Sequence, residues 1–233
     1  MNRRAQGALL LVAGGAVLRA GLTDVYLRYV KAGLRPFLLL AGVVLIVAAV
    51  ATFWYEWRAS RNGRRPEHHH EPRIAWLLLL PVLALIVVVP PALGSYAASR
   101  AGTALTQPPG FPALPAGDPL KMTVLDYAGR AVYDHGRSLT GRRVALTGFV
   151  TLGDNGEPVL TRMVLSCCAA DAQPVKVGLT GKVPPELRPD AWLDVVGSYT
   201  AKQGRDAVNG APIPFIEVSQ ATVVPAPHNR YEN

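Results

Sequence analysis

The chain of 233 residues is long enough for a membrane region and one compact domain of roughly 100 residues, which excludes two large soluble domains. Half of the residues are hydrophobic and only 17% are charged, against about 25% in a typical soluble domain, so much of the chain does not face water. The formal net charge of +8 arises in residues 1–100, because residues 101–233 hold twelve basic and twelve acidic side chains, and this balance excludes nucleic acid as a partner.

Three apolar segments predict transmembrane helices in the first part of the chain. Each is close in length to the ~20 helical residues that cross a ~30 Å hydrocarbon core. They are residues 7–29, 36–54 and 74–93. Pro81 in the third segment is compatible with a membrane helix, because neighbouring groups can bond the backbone that proline frees. The sequence therefore predicts a transmembrane region over residues 1–93, embedded in a lipid bilayer.

The first apolar segment has a second interpretation, as a secretory signal peptide. Arg3 and Arg4 precede an apolar run over residues 8–18, which is the pattern of such a peptide. Arg19 and Asp24 then interrupt the segment, and charged side chains near the end of a span commonly extend to the membrane interface. Because another apolar segment follows closely, we predict that the first one is retained as half of a helical hairpin.

Basic residues in the loops predict the orientation, because they are enriched on the cytoplasmic side. The amino terminus and the loop between the second and third spans lie on one side. That side holds Arg3, Arg4, Arg58, Arg61, Arg64, Arg65 and Arg73. The other side holds Arg28, Lys31, Arg35 and Arg100. We predict a multi-pass protein of the bacterial inner membrane with a cytoplasmic amino terminus and a C-terminal domain outside the cytoplasm.

The second part of the chain predicts a linker and a small β domain. Residues 94–118 are rich in Gly, Ala, Ser and Pro, the composition of an extended linker. Residues 119–233 begin with helical spacing over 119–133 and continue with five strand patterns. These strands cover residues 142–152, 158–168, 174–179, 192–200 and 214–224. Asn155-Gly156 predicts a tight hairpin, and five short strands predict a barrel like the oligonucleotide/oligosaccharide-binding (OB) fold.

The candidate site lies around the two cysteines, Cys167 and Cys168, whose number excludes a disulfide framework. Strand alternation over residues 158–168 places Cys167 on a buried face and Cys168 with Arg162 on a mixed face. At the strand end a thiol close in sequence to Asp171 can meet solvent or a ligand. We predict Arg162, Cys167, Cys168 and Asp171 as ligand- or partner-binding residues.

Three interpretations of the cysteine pair stay open. Buried cysteines behave as small hydrophobic residues and can pack one end of the barrel. Thiolates also suit a soft divalent metal such as zinc, with Cys167, Cys168 and Asp171 as ligands and His135 and His228 as the evident helpers. A redox role requires a vicinal disulfide, which is strained because adjacent Cα atoms lie ~3.8 Å apart, below the usual ~4.4–6.8 Å.

Enzyme motifs are absent from the sequence. There is no nucleophile with a nearby base at motif spacing, no H-E-x-x-H and no phosphate-binding glycine-rich loop, so we predict no catalytic residue and no enzyme activity. The short tract His68-His69-His70 is more typical of a solvated loop than of a metal site.

A family resemblance adds to these interpretations. It is carried by Gly148-Phe149-Val150, Arg162, the run Cys167-Cys168-Ala169-Ala170-Asp171-Ala172, Trp192, Val195, Gly197 and the closing Pro227-His228-Asn229-Arg230-Tyr231. These residues resemble the YcgQ-type family of membrane proteins, although the tail departs from the family's closing Pro-Tyr pair. The resemblance implies a permease subunit that accompanies a larger, multi-span YcgR-type permease.

The predicted function follows from these observations together. We expect an accessory subunit of a membrane transport complex, whose extracytoplasmic β domain binds a ligand or a partner through the turn from Cys167 to Asp171. The alternative is a free-standing metal-binding or redox membrane protein that uses the Cys167-Cys168 pair.

Overall fold

The computed structural model describes residues 3–61, 80, 83, 84, 87, 88, 90–153 and 155–232. The chain forms two compact units, Met1–Pro91 and Ala92–Asn233. The predicted third span, residues 74–93, lies mostly outside the described residues, and the tract His68–His70 lies wholly outside them.

Two long helices, α1 (Arg3–Leu22) and α2 (Arg35–Arg61), make up the described core of the first unit. Both are long and apolar enough to cross a membrane by length and composition. Helix α1 ends seven residues before the predicted boundary at Tyr29, because the chain continues as a 3-10 turn over Asp24–Arg28. A second 3-10 turn, Ala32–Leu34, leads into α2.

Glycines allow α1 and α2 to pack closely in an antiparallel hairpin. A Cβ atom at Gly42 would lie 2.7 Å from Leu18 Cγ, and a Cβ atom at Gly14 would lie 3.0 Å from Leu45 Cβ. Small residues at such contacts let helix backbones approach each other, which is how helices associate in lipid. Arg35 Nε donates to the Gly21 carbonyl oxygen over 3.0 Å, at the carboxyl end of α1 where a cation is favoured.

The second unit is a closed five-stranded barrel. Its strands are β2 (Arg143–Leu152), β3 (Pro158–Val164), β4 (Gln173–Gly181), β5 (Trp192–Arg205) and β6 (Pro212–Val224). They follow the order β2-β5-β6-β4-β3, and β3 pairs with β2 to close the ring. The pair β4–β6 is parallel and the other four barrel pairs are antiparallel. The predicted five-stranded closed barrel is therefore confirmed.

Short elements complete this unit. Strand β1 (Leu120–Lys121) runs parallel to β2, and β7 (Tyr231–Glu232) runs parallel to the end of β3. Helix α4 (Val124–Tyr133) begins later than residue 119 because the Thr123 hydroxyl caps it, accepting from the Asp126 N–H over 3.0 Å. Its buried face joins the barrel core through Val124, Tyr127, Ala128 and Ala131.

Residues 94–118, predicted as a linker, lie within the second unit and bond to the barrel. They contain a single helical turn, α3 (Ser95–Ala98). The Ala104 N–H donates to the Pro174 carbonyl oxygen over 2.8 Å, and Tyr133 Oη donates to the Leu105 carbonyl oxygen over 2.7 Å. The composition that predicts an extended chain is thus compatible with a strap held along the barrel.

A buried ion pair joins this strap to the barrel. Lys176 Nζ on β4 donates to Asp206 Oδ2 over 2.8 Å and to the Ala101 carbonyl oxygen over 2.9 Å. The same carboxylate oxygen accepts from the Thr103 N–H over 2.9 Å. The two charged side chains are only 9% and 1% exposed, so each depends on the other for its charge balance.

The pKa of Asp206 lies below its ordinary value of 3.8. Burial raises it, but hydrogen bonds from Lys176 and from the N–H groups of Val208 and Thr103 lower it by more. Because the pKa of Asp206 is lower in the folded chain, its carboxylate stabilises the fold fully at a pH above the ordinary pKa. This stabilisation is lost as the pH falls through the lowered pKa.

We expect Asp206→Leu to lower the free energy of unfolding of the full chain by about 3–5 kcal/mol, because it leaves the Lys176 ammonium buried without its counter-charge. Chemical unfolding in detergent at neutral pH measures this loss. The double variant Lys176→Met, Asp206→Leu removes both charges and should recover most of it. A double variant as unstable as the single one would contradict the ion pair.

Candidate functional site

The candidate site is the turn that follows β3. Strand pairing continues one residue past Val164, where the Leu165 N–H donates to the Glu232 carbonyl oxygen over 3.0 Å, and the chain then bends at Ser166. A 3-10 turn, Ala169–Asp171, returns it towards β4. Every side chain from Ser166 to Ala172 is small, with only Ser, Cys, Ala and Asp present. We call residues 166–172 the cysteine turn.

One carboxylate organises the backbone of the cysteine turn. Asp171 Oδ1 accepts from the Ser166 N–H over 3.0 Å. Asp171 Oδ2 accepts from the Cys167 N–H over 2.7 Å and more weakly from the Cys168 N–H over 3.4 Å. A short acidic side chain that accepts from nearby N–H groups stabilises a turn in place of regular structure. The position of both thiols therefore depends on Asp171.

The cysteine turn brings three potential metal ligands together. The sulfur atoms of Cys167 and Cys168 and one carboxylate oxygen of Asp171 all lie within 4.8 Å of one another. Neither thiol forms a disulfide in the described structure. Sulfur and carboxylate ligands in this combination fit zinc and other soft divalent metals. His135 and His228 do not belong to this group, so the sequence-based expectation that they assist is not met there.

The prediction that Cys167 is buried is wrong. Its side chain is exposed, whereas Cys168 and Asp171 are half-buried. The alternation argument extended β3 to Cys168, but the strand ends at Val164, so the two-residue period does not apply to the thiols. Because Cys167 faces solvent, the interpretation of the pair as core packing does not hold for this residue.

The thiol of Cys167 and the carboxyl of Asp171 shift each other's pKa. The Cys167 pKa is raised to about 11, chiefly because its thiol bonds to the Asp171 carboxylate and also to Cys168. The same thiol, followed by the backbone N–H groups of the turn, lowers the pKa of Asp171. Cys167 is therefore a protonated thiol at neutral pH. A metal that binds it must displace the proton, so affinity rises with pH.

We expect Asp171→Asn to lower the Cys167 pKa towards its ordinary value, because the neighbouring negative charge is lost. The thiolate fraction at neutral pH rises, and with it the alkylation rate. The measurement is the pH profile of alkylation in a Cys168→Ser background. Asp194→Asn is the matched control, since that exposed carboxylate bonds to Thr147 and not to a thiol. Identical profiles for the two variants would contradict the assigned cause.

Arg162, the fourth predicted site residue, makes a different set of contacts. It is buried on β3, with its Nε 3.6 Å from Glu232 Oε1 and its guanidinium 4.8 Å above the Trp192 ring. Its Nη2 donates to the Asn229 carbonyl oxygen over 3.1 Å. Within the described residues these are its partners, and the ligand atoms of the cysteine turn are not among them. The role of Arg162 in binding a ligand or partner stays a prediction.

Glu232 is a site-proximal residue that the sequence did not indicate. Its two carboxylate oxygens accept from the N–H groups of Val124 and Leu125 over 2.9 and 3.0 Å, at the start of α4. Burial raises the pKa of Glu232, although these bonds and Arg162 oppose that rise. Since its backbone partners lie more than a hundred residues away in the sequence and Arg162 is also distant, no local pattern could have identified it.

A cleft of about 380 Å³ lies between two hairpins of the barrel unit. The hairpin between β2 and β3 forms one wall through Leu152, Gly153 and Glu157. The hairpin between β5 and β6 forms the other, and the Lys176–Asp206 pair also lines the cleft. In the sequence, the cleft is indicated only by a lysine, Lys176, that lies between two valines of a predicted buried strand.

Comparison with known families covers the barrel unit. Among curated proteins and solved structures, none matches the chain. Residues 119–232 match the family model of the DUF1980 C-terminal domain, an uncharacterised family, so the match supports a shared domain and assigns no activity.

Proposed function

We propose that the chain is a membrane-anchored accessory protein that binds a soft divalent metal such as zinc outside the cytoplasm. The observation that carries the proposal is the close grouping of Cys167, Cys168 and Asp171 ligand atoms within 4.8 Å on an exposed turn. Two sulfur donors favour soft and borderline metals over magnesium or calcium, which prefer oxygen ligands.

Binding explains the electrostatics of the cysteine turn better than catalysis does. Nucleophilic cysteines need a lowered pKa, usually from a nearby cation or a helix amino terminus. Here the carboxylate of Asp171 raises the Cys167 pKa to about 11. A divalent cation reverses this situation, because it offsets the carboxylate charge and favours the thiolate.

The surface of α2 supports the membrane anchor. Large apolar side chains along its length are about half or more exposed to the surroundings. They include Phe37, Leu40, Val43, Val44, Val47, Val50 and Trp54. Contiguous exposed apolar surface on a helix whose backbone bonds are internal suits lipid contact.

Aromatic and basic residues at the end of α2 support the proposed orientation. The rings of Trp54 and Trp57 lie 5.5 Å apart, and the Arg61 guanidinium lies 4.0 Å above the Trp57 ring. Tryptophan is enriched at membrane interfaces, and arginine is enriched on the cytoplasmic side. This arrangement is consistent with a cytoplasmic end at Arg61. The third span that we propose, over residues 74–93, rests on the sequence alone.

The strand order supports an OB-like barrel as the binding domain. Numbered within the barrel, the strands follow the order first, second, third, fifth, fourth and back to the first, with the third and fifth parallel. In OB folds the loops between strands one and two and between four and five contact ligands. The cleft lies between these two hairpins and includes Leu152 and Asp206 among its lining residues. It is the surface best suited to a partner or a second ligand.

The partner that we propose is a multi-span permease of the YcgR type. Support for it is the resemblance in the cysteine run and the surrounding barrel residues, together with an anchor whose exposed apolar surface can contact other membrane helices. Co-expression with that permease, followed by affinity purification of either protein in detergent, tests the association. Recovery of each protein alone, with unchanged abundance when the other is deleted, would argue against it.

We expect the full chain in detergent to bind one zinc ion at neutral pH and to release protons as it does so. Cys167→Ser and Cys168→Ser should each weaken binding by about tenfold or more, because a hydroxyl is a poor substitute for a thiolate ligand. Competition titration with a chromophoric chelator measures affinity, and Ser166→Ala is the control because Ser166 contributes only its N–H to the turn.

The location of the site is tested in intact cells. A membrane-impermeant thiol reagent should label Cys167, and added zinc should protect it. Labelling only after lysis would reverse the proposed topology. Wild-type affinity in both serine variants would overturn the metal site, and reversible oxidation of the pair without metal protection would favour the redox alternative.

A further inference from the structure

We infer that the cysteine turn is a transfer site, from which a bound metal passes to a second thiolate or imidazole donor by ligand exchange. This inference rests on the proposed metal binding and adds a role for the site, the transfer of the bound metal. The metal is treated as cargo and the donor as the partner that receives or delivers it.

The number of ligands points to an incomplete coordination sphere. The cysteine turn supplies three ligand atoms, from Cys167, Cys168 and Asp171. Structural zinc sites are closed by four protein ligands, whereas sites with three protein ligands keep one position open. Among the described residues, His135 and His228 do not join the group. The fourth ligand must therefore come from outside the cysteine turn.

Access to the open position is unobstructed by the cysteine turn itself. Cys167 is exposed, and the neighbouring side chains of Ser166, Ala169, Ala170 and Ala172 carry no more than one heavy atom beyond Cβ. A bulky neighbouring side chain would block access to the bound metal, and a charged one could bind the metal itself. The side chains of the cysteine turn thus leave room for a donor carried on another chain to approach Cys167.

Asp171 is suited to act as the releasable ligand. Its carboxylate already accepts three backbone N–H groups, two of them within 3.0 Å. A cation that draws on the same oxygens competes with these bonds, so the oxygen ligand is held less firmly than the two sulfurs. When Asp171 dissociates from the cargo, its bonds to the backbone keep the turn in shape. The site can therefore empty and refill without refolding.

The exchange step balances without electron transfer. An incoming thiolate or imidazole forms a bond to the cargo at the open position, and the bond to Asp171 breaks. The bonds to Cys168 and Cys167 then break in turn as further donor bonds form. Each released thiolate takes a proton from solvent, and each incoming thiol loses one. The direction is set by the relative affinities of the two donor sets and by the pH.

The test uses cobalt(II) as the cargo and the full chain in detergent under anaerobic conditions. Adding imidazole should shift the visible absorption bands of the bound cobalt without removing it, because imidazole fills the open position. On rapid mixing with a chromophoric chelator, the transfer rate should rise in proportion to chelator concentration, since the chelator enters before the cargo leaves.

A closing variant sharpens the test. Ala170→Cys adds a third sulfur donor, and so a fourth protein ligand, to the cysteine turn and should slow transfer by about tenfold or more while removing the imidazole response. Ala170→Ser, which adds a side chain of similar size without a soft donor, should behave as the wild type. Slowing in both variants would attribute the effect to bulk and overturn the inference.

The outcomes separate this inference from the proposed function. If cobalt binds but imidazole leaves its spectrum unchanged and transfer is independent of chelator concentration, the site is closed and the transfer role is wrong, while metal binding stands. If neither cobalt nor zinc binds, both fail. A shifted spectrum together with concentration-dependent transfer supports both.

Discussion

Closure of the barrel is the constraint on which the rest of the second unit depends. Strand β2 pairs with β5 on one side and with β3 on the other, and Phe149 has partners on both, Trp192 and Thr161. No barrel strand is left as an open edge, so the ladder satisfies the backbone groups that an open sheet would expose. The close approach requires Gly148, where a Cβ atom would lie 2.9 Å from the Thr161 carbonyl oxygen. Beyond Thr161, β3 continues against β4 and β7 as far as Val164, and the cysteine turn follows that end of the strand.

Carboxylates act as backbone caps throughout this unit. Asp171 holds the cysteine turn, Asp206 accepts from Thr103 and Val208, Glu232 accepts at the start of α4, and Asp190 Oδ1 accepts from the Ser95 N–H over 2.6 Å. Each of these N–H groups lies at a turn, a loop or a helix start, where no strand or helix partner exists. Several of the acidic residues that balance the basic ones after residue 100 therefore also stabilise turns and helix starts by accepting from backbone N–H groups.

The sequence was sufficient to predict the five barrel strands but not the residues at which they end. Alternating and β-branched residues identify β2 to β6 because those patterns reflect burial directly. β3 is buried on both faces from Val159 to Met163, so alternation cannot tell which face Cys167 would occupy or where pairing stops. The pairing of Lys176 with Asp206 and of Glu232 with α4 depends on closure of the ring, which brings distant residues together. Local patterns carry no information about such contacts, whereas the adjacency of Cys167, Cys168 and Asp171 is local and was identified.

The Lys176–Asp206 pair also bears on where an independent folding unit begins. The family match starts at residue 119, yet Lys176 bonds to Ala101 and Asp206 bonds to Thr103, both well upstream of that boundary. A fragment cut at residue 119 would leave a buried ammonium and a buried carboxylate each short of one partner, at a cost of roughly 1–3 kcal/mol for each. A soluble fragment for crystallisation or spectroscopy should therefore start near Ala92, where the compact unit starts. The segment that matches the family model is therefore shorter than the compact unit in which its buried charges are satisfied.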